Sequence, residues 1–136
     1  MRKAFFVLTL LASVSSQAQD ITVNAGETYN SNAYLENFGS IDNSGTFNNL
    51  DHLDNKNVVD NRGIFHHQNN NGLYGVVLHN YGVFTNYDTL QIDGSFWNHE
   101  TLNNYGTLNN FDELYNLSLA GSDATLKNFD TLINFG

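Results

Sequence analysis

A chain of 136 residues has room for one domain of ordinary size, and this one carries 23 Asn with no Cys, no Pro and a single Met. The lack of Cys excludes a disulfide framework and any thiolate metal site. Five Lys and Arg stand against fourteen Asp and Glu, a formal charge of −9. That balance disfavours nucleic acid and anionic membrane surfaces, since both are bound largely through Lys and Arg.

In chain order, the first element is a secretory signal peptide, predicted over residues 1–18. Arg2 and Lys3 form a short basic region, "AFFVLTLLASV" is an apolar stretch, and "SSQA" sets small residues before a cut after Ala18. The apolar run is too short, and too soon followed by polar residues, for a membrane anchor. Cleavage leaves Lys56, Arg62 and Lys127 against fourteen acids, a charge of −11. The expected location is secreted or cell surface.

Residues 19–34 are read as an N-terminal lead-in with the first strands, and residues 35–136 as a field of six-residue words. Counting in sixes from Leu102, the first position of each word is Leu78, Phe84, Leu90, Phe96, Leu102, Leu108, Leu114, Ala120, Leu126 and Leu132. An earlier run is Val23, Tyr29, Leu35, Ile41, Phe47, Leu53, Val59 and Phe65. The runs lie thirteen residues apart at Phe65 and Leu78, so one residue breaks the frame within an irregular junction at 66–77. Position three is mostly Asn, position five Gly or a short polar residue, and position six often Thr. The word is L-x-N-[YF]-[GD]-T.

Fixed-period self-similarity marks a repeat architecture. A helix is excluded, because a period of six matches no helical repeat and frequent Gly costs close to 1 kcal/mol per residue. Short strands with tight corners fit. Corner Asn and Gly tolerate φ > 0, and Leu in a brief extended stretch points inward. The expected fold is all-β, a parallel β-solenoid of hexapeptide units with its handedness undecided. Asn on successive coils can bond amide to amide in a ladder, which Asp would fill with charge. Two words per coil would stack Asp88, Glu100 and Asp112 about 4.8 Å apart. Three words place Gly106 beside Asp88, though Asp112 would still meet Asp130, and three is the expected number.

The words resemble the N-x-G-x-L strings of secreted bacterial adhesins of the filamentous haemagglutinin type, most closely in "LHNYGVFTNYDTLQIDGSFWNHETLNNYGT". That resemblance implies a parallel β-solenoid, a cell-surface location and a role in attachment or matrix. The secretion-signature domain of that family is not seen at the N-terminus, nor a sorting motif or anchor at the C-terminus. The six-residue helices of acyltransferases match less well, since they place small apolar residues where this chain has Gly or Asp.

Chemistry-bearing residues favour bland readings. His66 and His67 point to opposite faces of a strand, a poor grip for one metal, and are read as polar residues of a loop insertion. Asp51, Asp54 and Asp60 lack calcium-loop spacing and are read as solvated acids. No Ser sits in a nucleophile elbow, and the junction offers neither paired carboxylates nor basic residues for polysaccharide cleavage. The chain is therefore expected not to be an enzyme, with no catalytic residue, metal or cofactor.

Position four supplies a candidate exposed aromatic row, Tyr81, Tyr87, Tyr105, Phe111 and Phe129, able to stack on sugars or a partner where it turns outward. The expected function is a structural or adhesive repeat protein that binds a host or matrix surface, glycans among the candidates, through a repetitive face. The alternative is an ice- or crystal-surface binder using Thr ladders. The words stay faithful to "LKNFDTLINFG", so truncation of a longer adhesin is expected ahead of end-to-end self-association into fibres.

Overall fold

The computed structural model describes residues 16–17, 20–68, 76–119 and 123–135. Eighteen short strands form its regular structure, and no helix occurs among the described residues. Every third strand enters the same sheet, so each turn of chain adds one strand to each of three sheets. The first sheet holds β1 (Ser16–Gln17), β4 (Leu35–Asn37), β7 (Leu53–Asn55), β10 (Val77–Asn80), β13 (Ser95–Asn98) and β16 (Leu114–Asn116). The second holds β2 (Ile21–Val23), β5 (Ser40–Asn43), β8 (Val58–Asn61), β11 (Val83–Asn86), β14 (Thr101–Asn104) and β17 (Thr125–Asn128). The third holds β3 (Thr28–Ser31), β6 (Thr46–Asn49), β9 (Ile64–His67), β12 (Thr89–Ile92), β15 (Thr107–Asn110) and β18 (Thr131–Asn134).

All pairings are parallel and like residues face like, as in Thr89 with Thr107 and Leu90 with Leu108. The chain is a parallel β-solenoid of six coils with three words in each. Position one is the core. Leu35, Leu53, Leu78 and Phe96 line the first sheet, Ile41, Val59, Phe84 and Leu102 the second, and Phe47, Phe65, Leu90 and Leu108 the third, all buried in one cluster. Each such side chain stabilises the stack by about 1.5–3 kcal/mol, a gain no single word can reach alone. In the sixth coil Leu114, Leu126 and Leu132 pack on that cluster and stay half-buried.

Four expectations about the backbone change. Val23 does not sit at position one: Ile21 pairs with Ile41 and Val23 with Asn43. A two-residue turn at Ala25–Gly26 shifts the first coil, with Gly26 at φ +83°. That Gly is also the only described residue with φ > 0, so the other corners are not turned through left-handed residues. The junction inserts more than one residue, since Leu53 pairs with Leu78, seven beyond the usual eighteen. A second insertion lies at 117–124, where Leu102 pairs with Leu126, a step of 24. It leaves Asp130 beside Gly106 rather than Asp112; the position-one reading of Ala120 lies outside the described residues.

The expected signal peptide also lies outside the described residues, apart from Ser16–Gln17, whose backbone pairs with Leu35–Glu36. A cut after Ala18 would remove that strand.

Gly at position five answers to close coil approach. A Cβ on Gly106 would stand 2.2 Å from the Asp88 carbonyl oxygen, and one on Gly82 2.0 Å from that of Asn57. Following these glycines, Thr107 N–H donates to Asp88 O and Val83 N–H to Asn57 O, both at 2.7 Å. Gly106→Ala should therefore cost about 1–3 kcal/mol by prising two coils apart. A thermal melt unchanged from the parent would show that the coils have slack here.

Candidate functional site

Position three closes each strand with its side chain inward. In the first column the amide Nδ2 of Asn37 donates to Asn55 Oδ1 at 2.8 Å, then Asn55 to Asn80, Asn80 to Asn98 and Asn98 to Asn116, each at 2.7 Å. The second column runs Asn43, Asn61, Asn86, Asn104, Asn128 at the same spacing, 2.7 Å per rung. The same nitrogens also donate to backbone carbonyls, as Asn86 does to Thr107 O at 3.0 Å. These ladders are the scaffold on which every outward column is set.

The third column is broken. Asn49 Nδ2 meets His67 Nδ1 at 2.8 Å, Ile92 follows, and the ladder resumes from Asn110 to Asn134. His66 and His67 are thus strand residues of β9 and not loop residues. They do face opposite ways, His67 buried and His66 outward, where its Nε2 lies 2.7 Å from Asp93 Oδ2. Burial drives the His67 pKa down to about 4, opposed by the Val76 carbonyl. Stepping the word from Asn61 by six would have placed His67 on the ladder.

Position four turns outward at each corner, and three corners make three columns. Tyr81, Tyr87, Tyr105, Phe111 and Phe129 therefore do not share one row. Tyr87, Tyr105 and Phe129 stack at one corner, with centroids 5.3 and 4.6 Å apart and planes within 10°. Arg62 covers the Tyr87 ring at 5.3 Å. Phe111 stacks on Phe135 at the next corner, at 4.9 Å. Tyr81 stands at the third corner between Lys56, whose Nζ lies 3.8 Å from the ring centroid, and His99, stacked at 4.6 Å. In such columns each ring spends its faces on its neighbours, so the exposed part is the ring edge.

Position two covers the flats. The third sheet presents Asn48, His66, Gln91, Asn109 and Ile133 beside a position-six column of Thr46, Ile64, Thr89, Thr107 and Thr131. The first sheet presents Glu36, Asp54, His79, Trp97 and Tyr115. There the rings depart from the ladder geometry. Trp97 stands at 78° to His79, 67° to His99 and 89° to Tyr115, in edge contacts rather than stacks, with its Nε1 buried. His79 Nδ1 lies 3.2 Å from His99 Nε2. Tyr34 donates its hydroxyl to Asp54 at 2.9 Å, and Lys56 pairs with the same carboxylate at 3.0 Å.

Burial holds His79 below the ordinary imidazole value, against the pull of Asp54. Burial, joined by the Asp54 carboxylate, raises Tyr34. This cluster of His79, Tyr81, Trp97 and His99 escaped sequence reasoning. Its signal was the eighteen-residue step that joins His79 to Trp97 and Tyr81 to His99.

Asp51, Asp54 and Asp60 are spread along the surface, each paired locally: with His52, Lys56 and Arg62 respectively. Among the described residues no three His, Asp or Glu side chains are placed to hold a metal ion. No family model, curated protein or solved structure matches the chain. The likeness to filamentous haemagglutinin repeats therefore rests on the words themselves.

Proposed function

We propose that this chain is an exported structural and adhesive module that binds through its repetitive outer faces and catalyses nothing. The observation that carries the reading is the set of outward columns, among them the Tyr87, Tyr105, Phe129 stack and the Thr column of the third sheet, set one coil apart on a hydrogen-bonded stack. Such a surface suits many weak contacts with an extended partner, where effective concentration multiplies modest affinities. Export rests on the N-terminal pattern of Arg2, Lys3, the apolar run and Ala18.

Displayed on a non-adherent cell, the chain should raise retention under flow on a matrix- or polysaccharide-coated surface. Retention equal to that of cells carrying the anchor alone would overturn the adhesive role, and turnover of a polysaccharide in a degradation assay would overturn the non-catalytic one.

The Thr column of the third sheet favours a second reading, as a binder of ice or a crystal lattice. It ranks lower because Asn48, Gln91 and Asn109 stand where a second Thr column would be needed. Thermal hysteresis that vanishes in Thr107→Lys would move the assignment to that face.

A further inference from the structure

We infer that the first-sheet face binds an uncharged polysaccharide, with Trp97 as its platform; this rests on the adhesive reading above and names the partner. Three observations point there.

The first is ring geometry. Tyr87, Tyr105 and Phe129 lie within 10° of parallel and use their faces on one another. Trp97 is turned across its column, at 78° and 89° to the rings above and below, and is half-buried with its Nε1 on the protein side. None of its three ring contacts, with His79, His99 and Tyr115, is a parallel stack, and an indole held on a flat sheet offers the apolar C–H face of a pyranose ring a surface to lie on.

The second is charge. Glu36 and Asp54 extend the same column and Glu113 adjoins it, while the nearby cation, Lys56, is bound to Asp54. A sulfated or uronic polymer would meet carboxylates on a chain of net −9. An uncharged one meets hydrogen-bonding groups, with His79 on the coil next to the indole and the Asp54–Tyr34 pair beyond it.

The third is direction. The column runs Asp54, His79, Trp97, Tyr115 along the solenoid axis, one residue per coil. An extended chain laid along that axis meets ring, imidazole and carboxylate in sequence. A compact ligand has no reason to follow it.

The chain has one Trp, so indole emission, excited selectively over the seven Tyr, reports this face alone. Titration of the whole chain with cello-, chito- and manno-oligosaccharides should give a saturable change in Trp97 emission for at least one of them, and dextran sulfate should give none. Trp97→Ala should weaken retention on the corresponding insoluble polysaccharide roughly tenfold while leaving the circular dichroism spectrum intact. Phe129→Ala, at a separate corner, should retain parental binding. Emission indifferent to every neutral oligosaccharide, a response to dextran sulfate alone, or full retention by Trp97→Ala would overturn the inference. Adhesion under flow that survives Trp97→Ala would leave the adhesive reading standing while removing this one.

Discussion

Asn86→Asp is expected to cost the solenoid several kcal/mol, though it exchanges one NH2 for one oxygen. The Asn86 amide accepts from Asn61 Nδ2 at 2.7 Å and donates to Asn104 Oδ1 at 2.7 Å and to the carbonyls of Thr107 and Asp88, both at 3.0 Å. A carboxylate keeps the first bond and turns the other three into oxygen facing oxygen, in a site closed to water. Asn103→Asp makes the same exchange in β14 on an outward residue and should stay within about 0.5 kcal/mol of the parent. Denaturant melts followed by circular dichroism compare the two. Equal midpoints would mean that the ladder carries no more stability than the solvated face.

Ladder polarity accounts for the orphaned atoms of the interior. Every rung donates from one coil to the Oδ1 of the next, so the head of each run lacks a donor above it. Asn37, Asn49 and Asn110, each at such a head, are the ladder residues whose Oδ1 is buried without a hydrogen bond. Asn43 is also a head, but its Oδ1 takes the Gly45 N–H at 3.1 Å.

The period made the inward residues legible before any coordinates, because Leu35, Ile41, Phe47 and Leu53, and again Leu78, Phe84, Leu90 and Phe96, recur at six and must all reach one core. It also exposed the Asn ladder, since an uncharged donor and acceptor recurring at position three has no better use. What it hid follows from the same arithmetic. The insertion at 117–124 adds a whole word to the coil, so the count in sixes passes through it unbroken and gives no sign of it. Val23 keeps the six-step to Tyr29, yet a two-residue turn moves it to the Asn column, where its apolar side chain is still buried. The outward aromatics divide among columns because position four belongs to three corners. Only residues a whole coil apart share one: eighteen for Tyr87 and Tyr105, but 24 for Tyr105 and Phe129, across the second insertion.

His67 should make the solenoid lose stability as the pH falls from 6.5 towards 4. The imidazole replaces an Asn rung, accepts from Asn49 at Nδ1, and leaves Nε2 buried without a hydrogen bond. Ile92 lies on the next coil, and His52, His66 and Asp93 are the titratable groups that act on it. Burial sets its folded pKa at about 4 against 6.5 for the free side chain. The unfolded chain thus binds the extra proton between those values, so stability is full above pH 6.5 and declines as the pH falls towards 4, by at most about 3 kcal/mol. His67→Asn should flatten that slope, leaving the smaller contribution of His79 in the same direction. Alone, it also aims a new amide at Ile92. Combined with Ile92→Asn it completes the third ladder through to Asn110, supplying the donor that Asn110 Oδ1 lacks. The two substitutions should therefore couple favourably by about 1 kcal/mol or more in a double-mutant cycle at pH 7. Parallel pH profiles for parent and His67→Asn, together with strict additivity in the cycle, would show that the break at Ile92 is not a gap in the ladder.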